Sequence, residues 1–237
     1  MVDFHTHILP GIDDGSPDTK TSLEMLKVLR KQGVDKIVAT PHFYLAKDSS
    51  KNFFRSRERA VGKLLNEIEN TDNIPQIVLG AEVLLYPEIG GLTDLDKFCI
   101  SGTNYLLVEM PFFKWSSITY ETLEKIRRAG IIPIIAHFER YFKYQKDKRM
   151  VFRLLDIGCM LQANASFFNN VLTRRKALGF LREEIIHFVG SDCHDLKKRR
   201  PNIGKAYEII EKKHGQYSMD NLEYVAGMVL RNADYTI

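Results

Sequence analysis

Residues 123–137 read LEKIRRAGIIPIIAH. Leu123 and Ile126 recur at helical spacing, charged residues fill the gaps, and Gly130 stands where a left-handed helix stop would be needed. Residues 131–135 are apolar and rich in Ile, too short for a helix and suited to a strand. That strand ends at His137, which can bind a proton or a metal. The same grammar recurs at Val151 to Ile157, Gly158, Cys159 to Ala163 and Asn164. It also appears earlier. Ser16-Pro17 reads as an N-cap and first helical position, Met25, Leu26 and Leu29 follow at helical spacing, and Gly33 ends the run. Val34 to Thr40 then forms a strand that delivers Pro41-His42.

Working outward, Val2 to His7, Gln76 to Glu82, Tyr105 to Glu109 and Ile186 to Gly190 also read as strands, which makes about seven. Helices are expected at Phe53 to Glu69, Leu172 to Leu181, Ile203 to Lys213 and Asp220 to Leu230. Alternating helices and near-continuous apolar strands predict an α/β protein with a parallel sheet covered on both faces. Polar, ligand-type residues end nearly every strand. A closed barrel brings those ends to one mouth, whereas an open sheet spreads them along a line, so a TIM-like (β/α) barrel is expected, as one domain over residues 1–237.

Composition is consistent with this. Hydrophobic residues make up 44% of the 237 and charged residues 27%, which excludes disorder and supports a full core. The formal charge of +4 is too small to indicate nucleic acid and mildly favours anionic substrates. Cys99, Cys159 and Cys193 lack C-x-x-C spacing, so neither a disulfide framework nor a zinc ribbon is expected, and a reduced, cytoplasmic setting fits. The first residues, MVDFHTHILP, do not resemble a signal peptide, and no run approaches the ~18 apolar residues of a membrane span.

His5 and His7 alternate along the first strand and so share a face, suitably for one metal ion. Gly11-Ile12-Asp13-Asp14-Gly15 follows at once and can present carboxylates from a loop. His42, Glu82, Glu109, His137, Asp192 and His194 stand at further strand ends. Each alone could be a structural hydrogen-bonder. Together, five of the seven histidines and several acids converging on one mouth point to a polynuclear metal site. His187 and His214 fall outside the pattern.

The stretches DFHTHILPGIDDG, ATPH, GAEV, IAHFERY, QANASF and GSDCH, followed by RRPNIGKAY, cover residues 3 to about 207. With them the chain resembles the polymerase and histidinol phosphatase (PHP) superfamily, and within it the bacterial capsule-associated, metal-dependent tyrosine phosphatases. The resemblance implies a distorted (β/α)7 barrel with three divalent ions, often manganese; mixed His and carboxylate ligands also suit iron or zinc. It implies that His5 and His7 hold one ion with Glu82 and Asp192. Glu82 would bridge to a second ion on Glu109 and His137, with Asp14, His42 and His194 on a third. Arg140 and Arg200 match phosphate-binding arginines, and His42 or a metal-bound water could act as general acid. Two departures stand out: Phe138 replaces a usual proline, and Cys193 a small residue.

The chemistry implied is hydrolysis of phosphotyrosine by a hydroxide bridging two ions, with arginines on the phosphoryl oxygens. The natural substrate would be an autophosphorylating tyrosine kinase that controls capsular or exopolysaccharide synthesis. Phe43-Tyr44 with Phe53-Phe54-Arg55, Met110 to Trp115, and Arg140 to Lys148 would form an aromatic and basic rim. Other readings stay open: a histidinol phosphate or nucleotide phosphatase of the same superfamily, a metallo-amidohydrolase, or a metal-bound regulatory scaffold without turnover. Cys193 to Arg199 also has the C-x5-R spacing of thiolate phosphatases, although it lacks glycine.

Overall fold

The structure is a computed structural model that describes residues 1–69, 71–147 and 149–234. Its elements alternate. Strand β1 (Val2–Thr6) precedes helix α1 (Thr19–Lys31), β2 (Lys36–Ala39), β3 (His42–Phe43) and α2 (Ser50–Ile68). There follow β4 (Gln76–Leu79), β5 (Glu82–Leu84), β6 (Tyr105–Glu109), α3 (Ser117–Arg128) and β7 (Ile132–Ile135). The chain continues with α4 (Met150–Asp156), β8 (Met160–Asn164), α5 (Ala165–Asn169), α6 (Val171–Arg182), β9 (Phe188–Gly190), α7 (Ile203–His214) and α8 (Gln216–Leu230).

Every strand pairing is parallel. Two ladders are formed, β1-β2-β4 and β3-β5-β6-β7-β8-β9. They are successive lengths of one sheet. Ala39 pairs with Leu79 and His42 with Glu82, so the register offset carries across the break. The interruption falls at Pro41, which has no N–H to give to a ladder, although its carbonyl still accepts from Glu82 N at 3.0 Å. Seven expected strands therefore become nine segments in seven positions. At the far edge Asp192 N donates to His5 O (2.8 Å) and His7 N to Cys193 O (3.0 Å). The last strand thus meets the first, and the curled sheet closes as a distorted barrel.

One face of the sheet gathers Phe4, Val38, Val78, Leu107, Ile134 and Phe188 against Ala226, Val229 and Leu230 of α8. The other face, including Ile37, Leu106, Ile135, Leu161 and Val189, packs into the larger core with the helices. Gly130 takes φ +84, as a helix stop requires. The start of α1 differs from expectation. Asp18, not Ser16, is the N-cap, because its carboxylate accepts from Thr21 N at 2.7 Å. Helix α3 begins six residues earlier than the apolar pattern suggests, set by a reciprocal Ser116–Thr119 cap. The short α5 has too few residues to show a repeat.

Candidate metal centre

All nine expected ligands lie at the C-terminal end of the strands. His5 leaves β1 and His7 follows it; His42, Glu82 and Glu109 belong to β3, β5 and β6. His137 follows β7, Asp192 and His194 follow β9, and Asp14 comes from the loop after β1. Two of them, His137 (φ +32) and Asp192 (φ +54), sit in left-handed backbone conformations, which tight packing must hold in place. Gly190 admits β1 this close: a Cβ there would stand 2.6 Å from His5 Cβ.

Glu82 is the hub. Its Oε2 lies 3.1 Å from His5 Nε2, 3.3 Å from His7 Nε2 and 3.1 Å from His42 Nδ1. Its Oε1 lies 2.9 Å from His137 Nε2, which is also 3.7 Å from Glu109. Asp192 Oδ1 stands 3.6 Å from both His5 and His7. Asp14 Oδ1 is 3.4 Å from both His42 and His194.

Of a further layer, the sequence marked only Asp13, as a loop carboxylate. His7 Nδ1 faces Asp13 Oδ2 at 2.8 Å, and Asp13 also accepts from the backbone of His42 and Gly15. His5 Nδ1 faces Gln162 Oε1 at 3.1 Å, and His137 Nδ1 the Tyr141 hydroxyl at 3.2 Å. Asn164 donates to Asp192 at 2.9 Å. Such partners fix ring orientation and tautomer. The available signals were the position of Asp13 beside Asp14 and of Gln162 and Asn164 at a strand end.

Electrostatics divide the centre. Burial opposes charge on His7, but its bonds to Asp13 and Glu82 prevail and raise it to about 10. Burial opposes charge on Asp13, but the bond and charge of His7 with the backbone N–H groups of His42 and Gly15 together prevail and lower it to about 2. Burial pushes His137 and His194 down to about 4. Burial, with Glu82 nearby, raises Glu109 to about 8. Glu82 is held well below the usual carboxylate range despite burial, by His5 and its other imidazole contacts.

The donor set fits divalent cations. Three groups have ligand atoms mutually within 4.8 Å: His7, Asp14, His42 and His194; His5, His7 and Asp192; His42, Glu82 and Glu109. His42 Nδ1 and His194 Nε2 are buried and make no hydrogen bond, although carboxylate oxygens stand 3.1 and 3.4 Å away. His5 and His7 aim Nε2 atoms at each other, 3.0 Å apart. Imidazole nitrogens crowded among carboxylates suit divalent first-row metals. Cys193 is in none of the groups. It is fully buried, and burial raises its thiol far above neutrality, so the C-x5-R match does not supply a thiolate.

The arginines differ from expectation. Arg140 Nη2 donates to Asp192 Oδ2. Arg200, expected beside it, is exposed and makes no ion pair with the centre among the described residues. Its neighbour Arg199 instead donates to Asp192 Oδ1 at 2.7 Å and lies 3.6 Å from Asp14. The cause is local: Asp195 Oδ1 accepts from the backbone of Lys197, Lys198 and Arg199 and curls the loop back. Phe138 does not turn Arg140 away. It is buried beside Phe142, Phe167 and Phe180. The rim brings Tyr44 over His42 and Phe112 over His137, at 5.0 and 6.0 Å between ring centroids. Lys148, the last expected rim residue, lies outside the described residues.

A family model for capsular polysaccharide synthesis, CpsB/CapC, matches residues 1–232. The tyrosine-protein phosphatase YwqE of Bacillus subtilis is 28% identical, over 98% of this chain and 92% of its own. The tyrosine-protein phosphatase CpsB of Streptococcus pneumoniae is 32% identical, over 91% of each. Crystallographic work on YwqE and CpsB, described there as metal-dependent tyrosine phosphatases, provides a chain that superposes with TM-score 0.85 at 28% identity, over 99% of this chain and 96% of that one.

Proposed function

The chain belongs to the CpsB/CapC family of capsular polysaccharide synthesis and is a metal-dependent tyrosine phosphatase, and from this premise we propose which of its residues carry the hydrolysis. His5, His7, Glu82 and Asp192 would hold one divalent ion. Glu82 would share another with Glu109 and His137, and Asp14, His42 and His194 would hold a third. The observation that carries this reading is Glu82, whose two oxygens face different imidazoles, Oε2 towards His5, His7 and His42 and Oε1 towards His137. When bound, such ions would make water nucleophilic near neutral pH and offset phosphoryl charge; manganese is the preferred occupant.

The protein's own residues do the rest. Arg140, 38% exposed, and Arg199, 37% exposed, reach from the rim to Asp192. Each keeps guanidinium hydrogens open to solvent that can grip phosphoryl oxygens. Arg200 is less well placed for this. His42 serves as a ligand rather than an acid, because its two ring nitrogens face Glu82 and Asp14. A tyrosinate, with a pKa near ~10, leaves with little protonation. The substrate is a phosphotyrosyl protein, an autophosphorylating kinase of capsule or exopolysaccharide synthesis, met in the cytoplasm. No helix among the described residues is long and apolar enough to cross a membrane.

The test is hydrolysis of a phosphotyrosyl peptide by the purified protein before and after EDTA, and after Mn²⁺ is restored, with bound metal counted by elemental analysis. Loss on chelation, rescue by Mn²⁺ and about three ions per chain are expected. Activity indifferent to EDTA would sink the metal reading. Turnover of histidinol phosphate but not of the peptide would move the protein to that branch of the superfamily.

A further inference from the structure

We propose that the apolar cavity beside the metal centre, walled by Tyr44 and Phe112, receives the phenyl ring of the substrate and makes the site select aryl over alkyl phosphate esters. This rests on the phosphatase reading above and adds the residues that set its selectivity.

Two cavities meet at Tyr44 and Lys47. One, of about 490 Å³, is lined by Asp13, Asp14, His42 and Asp48 together with Phe43 and Phe53 and is mixed in character. The other, of about 420 Å³, is lined by Leu84, Tyr86, Pro111, Phe112 and Ile118, with Glu109 at its inner end. That size is typical of a pocket that encloses an organic group. Glu109 belongs to the centre as well, so the apolar cavity borders the centre at that residue.

Its walls are tied to the centre. The Tyr44 ring stacks on His42 with 23° between planes, and Phe112 on His137 with 20°. His42 and His137 contact different oxygens of Glu82, so each ring is tied to the centre through its own histidine. Phe112 is 41% and Phe113 61% exposed, a concentration of large apolar side chains left without cover. An aromatic ring offers broad apolar area and favourable ring-to-ring geometry to such walls. Lys47 Nζ, 4.6 Å from the Tyr44 ring centroid, adds positive charge at the mouth, where a phosphorylated segment enters. A phosphoserine places its phosphorus much closer to the main chain. With its phosphoryl group at the centre it would leave this cavity empty.

The test compares binding of phenylphosphonate and methylphosphonate to the Mn²⁺-loaded full chain by calorimetry. The wild-type protein, Tyr44→Ala and Phe112→Ala are measured, with Tyr44→Phe and Phe112→Leu as conservative controls and thermal melts to confirm folding. The wild-type protein should favour the phenyl ligand by roughly tenfold or more. Either alanine variant should bring that ratio most of the way towards one while methylphosphonate binding stays put, and the conservative variants should restore it. A ratio unchanged in both alanine variants overturns the proposal. So does loss of affinity for phosphotyrosyl peptides alone, which would assign the cavity to a flanking side chain. Failure of the phosphatase reading shows separately, as absence of peptide hydrolysis by wild type, because the phosphonate ratio needs no turnover.

Discussion

His7 and His137 are both buried and both touch Glu82, at 3.3 and 2.9 Å, yet they are held on opposite sides of neutrality. The shared carboxylate therefore does not set their charge. The difference lies at the other ring nitrogen. His7 faces the carboxylate of Asp13, whereas His137 faces the hydroxyl of Tyr141 and has the Arg140 cation nearby. One half of the centre is thus rich in negative charge that supports a basic imidazole. The other keeps its imidazole neutral by burial. A ligand to a divalent ion must be deprotonated, so the two halves differ in how much proton release metal loading demands.

The largest effect expected is at the contact the two halves share. Glu82→Gln should lower both metal content and kcat/KM on a phosphotyrosyl peptide by more than about a hundredfold, beyond the 10- to 100-fold typical of a mere orienting partner. Retained metal and activity would deny Glu82 its place as hub. Next, Asp13→Asn should weaken metal affinity by about 10- to 100-fold, and Tyr141→Phe by less, since only the former removes a charge. Equal losses in competition titrations with a chelator would erase the distinction between the halves.

A smaller effect concerns the metal-free protein. The raised His7 contributes stability that is complete below its unfolded value near 6.5 and is lost as pH climbs through about 10. The lowered Asp13 contributes stability present above about 3.8 and lost as pH falls through about 2. Asp13→Asn should therefore reduce the melting temperature most between about pH 4 and 6.5, by roughly 2–4 °C per kcal/mol lost, and progressively less towards pH 10. A deficit that does not vary with pH would mean that the pair is not charged. The smallest effect is none at all: alkylating reagents should leave the folded enzyme's activity unchanged, because Cys193 is buried with a raised thiol.

Much of the site was visible along the chain because a strand has a period of two and a definite end. His5 and His7 had to share a face, and Glu109 and His137 had to emerge where their strands stop. Other features depended on loop course. Asp195 curls its loop so that Arg199 rather than Arg200 reaches Asp192, and no apolar period marks such a turn. Phe138, which stands where the resemblance leads one to expect proline, is a packing residue among other phenylalanines. The break at Pro41 follows from its missing N–H, but continuity of register across that break needed both strands in view.

The sequence by itself determined the alternation of helices and strands, the parallel sheet and the set of residues able to bind metal, because these follow from local periodicity and side-chain chemistry. Only the tertiary structure decided which oxygen of Glu82 meets which imidazole, which histidine keeps its proton and which arginine guards Asp192. Those outcomes depend on side chains brought together from opposite ends of the chain. A shift of an ångström or two there changes the partner, the burial and the charge together.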